Sequence, residues 1–153
     1  MAGWTNKGKY RALAVWLQAE AIPGSAFAVA LATNGTPPTP DSNVITDCVQ
    51  IATGNGYSDG GINVARDAVD WDVLTEDDTN DRALAQIVDL TWTAAGGPIP
   101  SSGDGARWAL LTDQNATVNS REVIAYWDLA SDRALISGQA LTLQNCELRL
   151  NEV

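Results

Sequence analysis

The sequence predicts a mainly β fold, an antiparallel β-sandwich or jelly roll carrying one N-terminal α-helix. Three observations lead there. Apolar residues recur at helical spacing in one place only, near the start of the chain. Elsewhere they alternate with period two in short runs, the pattern of strands with two unlike faces. Clusters of Gly, Pro, Asn and Asp separate those runs, with no helices between them, which argues against a wound α/β fold. At 153 residues the chain fits one domain and is long enough to bury a core.

The helix is predicted over 7–20, within a pattern running from residue 6 to residue 20, where Tyr10, Leu13, Ala14, Trp16 and Leu17 recur on one face. Thr5 is its N-cap candidate, and Pro23-Gly24 ends it. Residues 1–6 then read as an extended arm, and residues 26–150 as the sandwich. Phe27, Val29 and Leu31 alternate with alanines, predicting a strand half in the core. The prolines at 37, 38 and 40 forbid a strand interior. Asp41-Ser42-Asn43 is placed to cap a short helical turn reaching Asp47, and Gln50-Ile51-Ala52 is a brief extended piece. Four glycines in residues 54–61 predict a flexible loop.

Beyond it, Ile62 and Val64 form a short strand, and Trp71, Val73 and Leu74 another. A long strand is predicted over 82–93, with Leu84, Val88, Leu90 and Trp92 on one face and Asp89 and Thr91 on the other. Strands over 106–112 and 121–129 follow, the second with Val123, Ala125 and Trp127 on one face. The last spans 141–150, and its alternation slips near Asn145 in the manner of a β-bulge.

Composition narrows the chemistry. The net charge is −10, and nine basic residues lie scattered among nineteen acidic ones. Nucleic acid and anionic membrane are poor partners for such a chain. No apolar stretch approaches the roughly 18 residues of a membrane span. The first residues lack a charged segment followed by an apolar one, so the sequence predicts synthesis in a cytoplasm without a cleaved leader. Cys48 and Cys146 are then expected as reduced, buried thiols.

There is no histidine, which removes the usual general base and the commonest metal ligand together. No P-loop, nucleotide-binding fingerprint or zinc spacing is present. Asp89 and Asp128 are the best carboxylates for a histidine-free glycosidase. The competing reading pairs them with solvent or with a strand-end arginine such as Arg82, Arg107 or Arg121. The acidic run Glu76-Asp77-Asp78-Thr79-Asn80-Asp81 offers clustered oxygens for calcium but misses the EF-hand spacing and its glycine. No catalytic residue and no required cofactor are therefore expected.

Six tryptophans stand against one phenylalanine. Trp16, Trp92, Trp108 and Trp127 fall on patterned elements and are expected in the core. Trp4 and Trp71 lie outside such patterns, and two readings stand for each: an anchor on a partner surface, or a ring folded onto its own domain. Trp4 and Thr5 in the arm, with Tyr57 and Trp71, are thus the candidate partner-contact residues.

Several motifs, taken in order, resemble a family of small virion structural proteins of tailed bacteriophages. They are Trp4-Thr5-Asn6-Lys7-Gly8-Lys9-Tyr10, Ile51-Ala52-Thr53-Gly54-Asn55-Gly56-Tyr57 and Leu74-Thr75-Glu76-Asp77-Asp78-Thr79-Asn80-Asp81-Arg82. Trp92-Thr93-Ala94-Ala95-Gly96-Gly97-Pro98-Ile99-Pro100, Gly105-Ala106-Arg107 and Leu141-Thr142-Leu143 continue the series. The resemblance spans residues 4 to about 150 and brings no catalytic residues with it. It implies a virion protein assembled in the host cytoplasm, touching the major capsid protein or other virion proteins. By analogy with capsid decoration (cement) proteins it implies a homo-oligomer, a trimer. The alternative is a tail, fibre or baseplate module recognising a host surface, with an aromatic patch around Tyr57 and Trp71. A carboxylate-only hydrolase is the third reading.

Overall fold

The computed structural model describes residues 2–18 and 21–151, and they form a mainly β, sandwich-like fold with one α-helix. The strands are β1 (Ala2–Trp4), β2 (Phe27–Ala32), β3 (Ile62–Val64), β4 (Val73–Asp77), β5 (Arg82–Ile87), β6 (Leu90–Thr93), β7 (Ala106–Asp113), β8 (Val123–Arg133), β9 (Ala140–Leu143) and β10 (Cys146–Asn151). The helix, α1, spans Asn6–Gln18. Three sheets result, ordered β1-β8-β7-β2-β3, β10-β5-β4 and β6-β9, and every strand pair is antiparallel.

The main core lies between the five-stranded sheet and the other two. Val29 and Leu31 of β2, Ala109 and Leu111 of β7, and Ala125 and Trp127 of β8 meet Ile87, Leu90, Trp92, Leu143 and Cys146 there. The opposite face of the large sheet is not wet. Ala30, Ala32, Leu110, Val123 and Tyr126 pack against Ile45 and Cys48 from the covering loops. This corrects the half-buried reading of β2. Its alanines alternate because only a small side chain lets a loop lie that close to the sheet, not because one face meets water. The two thiols sit in different clusters, both free and buried.

Thr5 caps α1 as predicted, its Oγ1 accepting the Gly8 N–H at 2.9 Å. The same hydroxyl donates to the carbonyl of Val123, and the Thr5 N–H donates to Ile124 O at 3.1 Å. The register of β7 on β8 shifts between the pairs Leu111/Ala125 and Thr112/Val123. That bulge frees the Ile124 carbonyl for the helix start.

Three strand expectations need correction. The run over 82–93 is two strands in different sheets, breaking at Val88-Asp89, and Ile87 joins Leu84, Leu90 and Trp92 as a buried side chain. Trp71 precedes β4 instead of lying in it. The slip near Asn145 is not a bulge. Asn145 has φ of 54°, and there the chain leaves β9 in the two-stranded sheet for β10 in the three-stranded one. The 54–61 segment is a pinned turn and not a loose loop. Gly54 and Tyr57 exchange backbone hydrogen bonds, and Arg121 Nη1 donates to Gly60 O at 3.1 Å.

Candidate functional site

The residues singled out as partner contacts fare unequally. Residues 2–4 do not form a free arm: β1 is an edge strand, with Trp4 opposite Ala125 of β8. The Trp4 indole donates to Arg149 O at 3.2 Å, and that of Trp127 donates to Glu147 O at 3.1 Å. These carbonyls lie two apart on the open side of β10. Two indoles of the large sheet thus satisfy an edge of the small one and tie the sheets together. A phenylalanine cannot do this, which gives one physical reason for the tryptophan-rich composition.

Thr5 is fully buried by its capping role, so it offers a partner nothing. Tyr57 is 2% exposed. Its hydroxyl accepts from Leu31 N at 3.0 Å and lies 3.2 Å from Gln50 Oε1, and burial pushes its pKa up. Trp71 is half-buried, edge-on to Phe27 with ring centroids 5.7 Å apart. The aromatic patch expected of Tyr57 and Trp71 does not exist at the surface. Among the other tryptophans, Trp92 and Trp127 are buried and Trp108 is half-buried, edge-on to Tyr126. The Trp16 side chain lies outside the described residues.

The two candidate catalytic carboxylates are held separately. Arg107 Nε donates to Asp128 Oδ1 at 2.7 Å, and with the Ala130 N–H it brings the Asp128 pKa down to about 2. Such a group cannot act as a general acid near neutrality. Asp89 is exposed in the β5–β6 turn and accepts from Gln144 Nε2 at 2.9 Å. The arginine pairing weighed for Asp128 is the one observed. The acidic run forms the tip of the β4–β5 hairpin. Hydrogen bonds from Asn80 and Arg82 occupy Asp77 and hold its pKa below the usual carboxylate range. Among the described residues no group of three or more His, Cys, Asp or Glu side chains placed to share a metal ion forms.

What the sequence did not single out is the face of the β10-β5-β4 sheet. Register puts Leu74 opposite Ala85, Ala85 opposite Leu148, and Ala83 between Glu76 and Leu150. These side chains share the face that carries Ile87 and Cys146. At one end of the sheet that face enters the core. At the hairpin end none of the described residues covers it: Leu74 is 81% exposed and Leu150 56%. A shallow depression there is bordered by Glu76, Asp78 and Asp81. A second runs from Leu74 and Ala85 to Trp71 and Phe27. The result is an apolar stripe whose rim carries Glu76, Asp78 and Asp81 beside Arg82. Alternation over 146–150 signals this face, but choosing which end is wet requires the tertiary fold.

Comparison with protein-family models, with curated proteins and with solved structures finds no match.

Proposed function

We propose that this chain is a structural protein of a tailed-bacteriophage virion, in its finer assignment a capsid decoration protein that stabilises the shell by contact and performs no chemistry. The uncovered apolar face of the β10-β5-β4 sheet carries the reading. A leucine left 81% in water forgoes about 2 kcal/mol of burial that an interface would recover. Two such leucines on one rigid face, rimmed by carboxylates, are the surface of a contact protein. The ordered series of motifs in the sequence supports the virion assignment, and the net charge of −10 suits a protein that stays soluble at high copy before assembly. Its partners are then the major capsid protein and sister copies, with a trimer as the state that decoration proteins suggest.

The test is a charge placed on the face. Leu74→Lys with Leu150→Lys should lower binding to particles lacking the protein by roughly thirtyfold or more, the equivalent of about 2 kcal/mol. Both side chains already lie in water, so the melting temperature should hold. Undiminished occupancy by the folded double variant would remove this face from the assembly.

A further inference from the structure

Between α1, the start of β2 and the turn before β4 lies a groove of about 240 Å³. Its walls include Trp4, Ala12, Phe27, Trp71, Leu111 and Leu148. Two carboxyls interrupt them, Glu122, which is paired with Lys7 and Arg11, and Asp113. Asp113 ends β7, lies opposite Phe27 in the register and sits two residues from Leu111, so its side chain shares their face. It is 1% exposed. Its Oδ1 accepts the N–H groups of Asn115 and Glu122, each at 3.2 Å. Its Oδ2 is buried with no hydrogen-bond partner among the described residues. A buried carboxyl oxygen left unpaired is costly, and it marks the place where a donor is missing.

We propose that this groove is an anchor pocket for one aromatic side chain bearing a hydrogen-bond donor, a Trp or Tyr of a neighbouring protein in the assembly. The inference rests on the contact-protein reading above and names the chemistry of the contact. The size fits, since a cavity of about 150 Å³ accepts benzene and this one has room for a phenol or indole. The walls fit, since Trp4, Phe27 and Trp71 offer ring faces and edges. The orphan oxygen selects N–H or O–H over a plain hydrocarbon ring. A cationic head is disfavoured, because Arg11 and Arg66 already face the groove, and Glu122 is engaged by Lys7 and Arg11. Phe27, Arg66 and Trp71 also line the depression leading to Leu74 and Ala85, so the pocket shares a wall with the uncovered sheet face. A buried aromatic anchor beside a flatter apolar contact is the usual arrangement of an interface hot spot.

The probes are side-chain analogues titrated into the full chain and followed by amide chemical shifts. p-Cresol and 3-methylindole should bind about tenfold or more tighter than toluene, shifting Trp71, Leu111, Asp113 and Ile124. Ala12→Phe, at an exposed helix position that lines the groove, should abolish probe binding, keep the fold and lower particle occupancy. Toluene binding as tightly as p-cresol, or no binding at millimolar concentration, overturns the pocket, whatever the sheet-face variants do. Probe binding that Ala12→Phe abolishes without any change in occupancy overturns the anchor role alone.

Discussion

Gly8 sets intrinsic helix propensity against a specific contact. It occupies the third position of α1, where replacing glycine by alanine ordinarily gains about 1 kcal/mol. A β-carbon at Gly8, however, would overlap the carbonyl oxygen of Ile124 and come within 2.8 Å of its carbon. That carbonyl belongs to β8, a central strand buried on both faces, so the strand cannot give way. The helix start must lift instead. Lifting forfeits the Thr5 cap, worth about 1 kcal/mol, and the 3.1 Å bond from Thr5 N to Ile124 O. It leaves those buried groups unpaired at about 1–3 kcal/mol more. The account therefore predicts that Gly8→Ala destabilises by about 2–3 kcal/mol net, or roughly 5–10 °C in Tm for a chain of this size. Urea unfolding gives the free energy, and Lys9→Ala, exposed on the same helix, is the control expected within about 0.5 kcal/mol. A Gly8→Ala protein as stable as the parent would refute the seating of α1 on β8, and with it one wall of the groove.

Other expectations follow from the same contacts. Trp127→Phe should cost about 1 kcal/mol more than Trp92→Phe, because the Trp127 indole serves Glu147 O while the buried Trp92 Nε1 has no partner among the described residues; paired urea curves decide it. Burial raises the Asp113 pKa above its ordinary value, so the folded state holds that proton more tightly than the unfolded chain. Its contribution to stability is present below the ordinary pKa and is lost as pH rises through the raised one. Asp113→Asn should therefore gain in Tm relative to the parent between pH 4 and pH 7, and a constant difference would contradict this sign. Burial pushes the thiol pKa of Cys48 up and that of Cys146 up to about 12, so neither should react with a thiol reagent at pH 8 until denaturant is added.

Much of this fold is legible in the sequence, because local rules decide it. The Thr5 cap, the helix, the proline-rich interruption after β2 and the short strands separated by turns depend on residues close together in the chain. The failures share a different cause. Ile87 and Leu84 break strict alternation, because they lie on opposite faces of β5 and both are buried, which the packing around the strand decides and its own pattern does not. The slip near Asn145 looks like a bulge in one strand, since a bulge and a change of sheet both reverse the phase of alternation. Tyr57 sits among glycines and reads as exposed, yet Leu31 and Gln50, distant or differently patterned, give its hydroxyl a buried place. The uncovered sheet face is hidden in the sequence for the same reason. Leu74 and Leu150 look like core residues, and whether anything covers them depends on the packing of the whole domain.

The role proposed for this chain is that of a contact-making component of a virion shell. Copy number in purified particles, by quantitative mass spectrometry against the major capsid protein, tests it most directly. A decoration protein should give a ratio near one to one. A ratio of a few copies per hundred capsid subunits would contradict the decoration role and move the protein to the tail or a vertex, and its absence from particles would contradict the virion assignment.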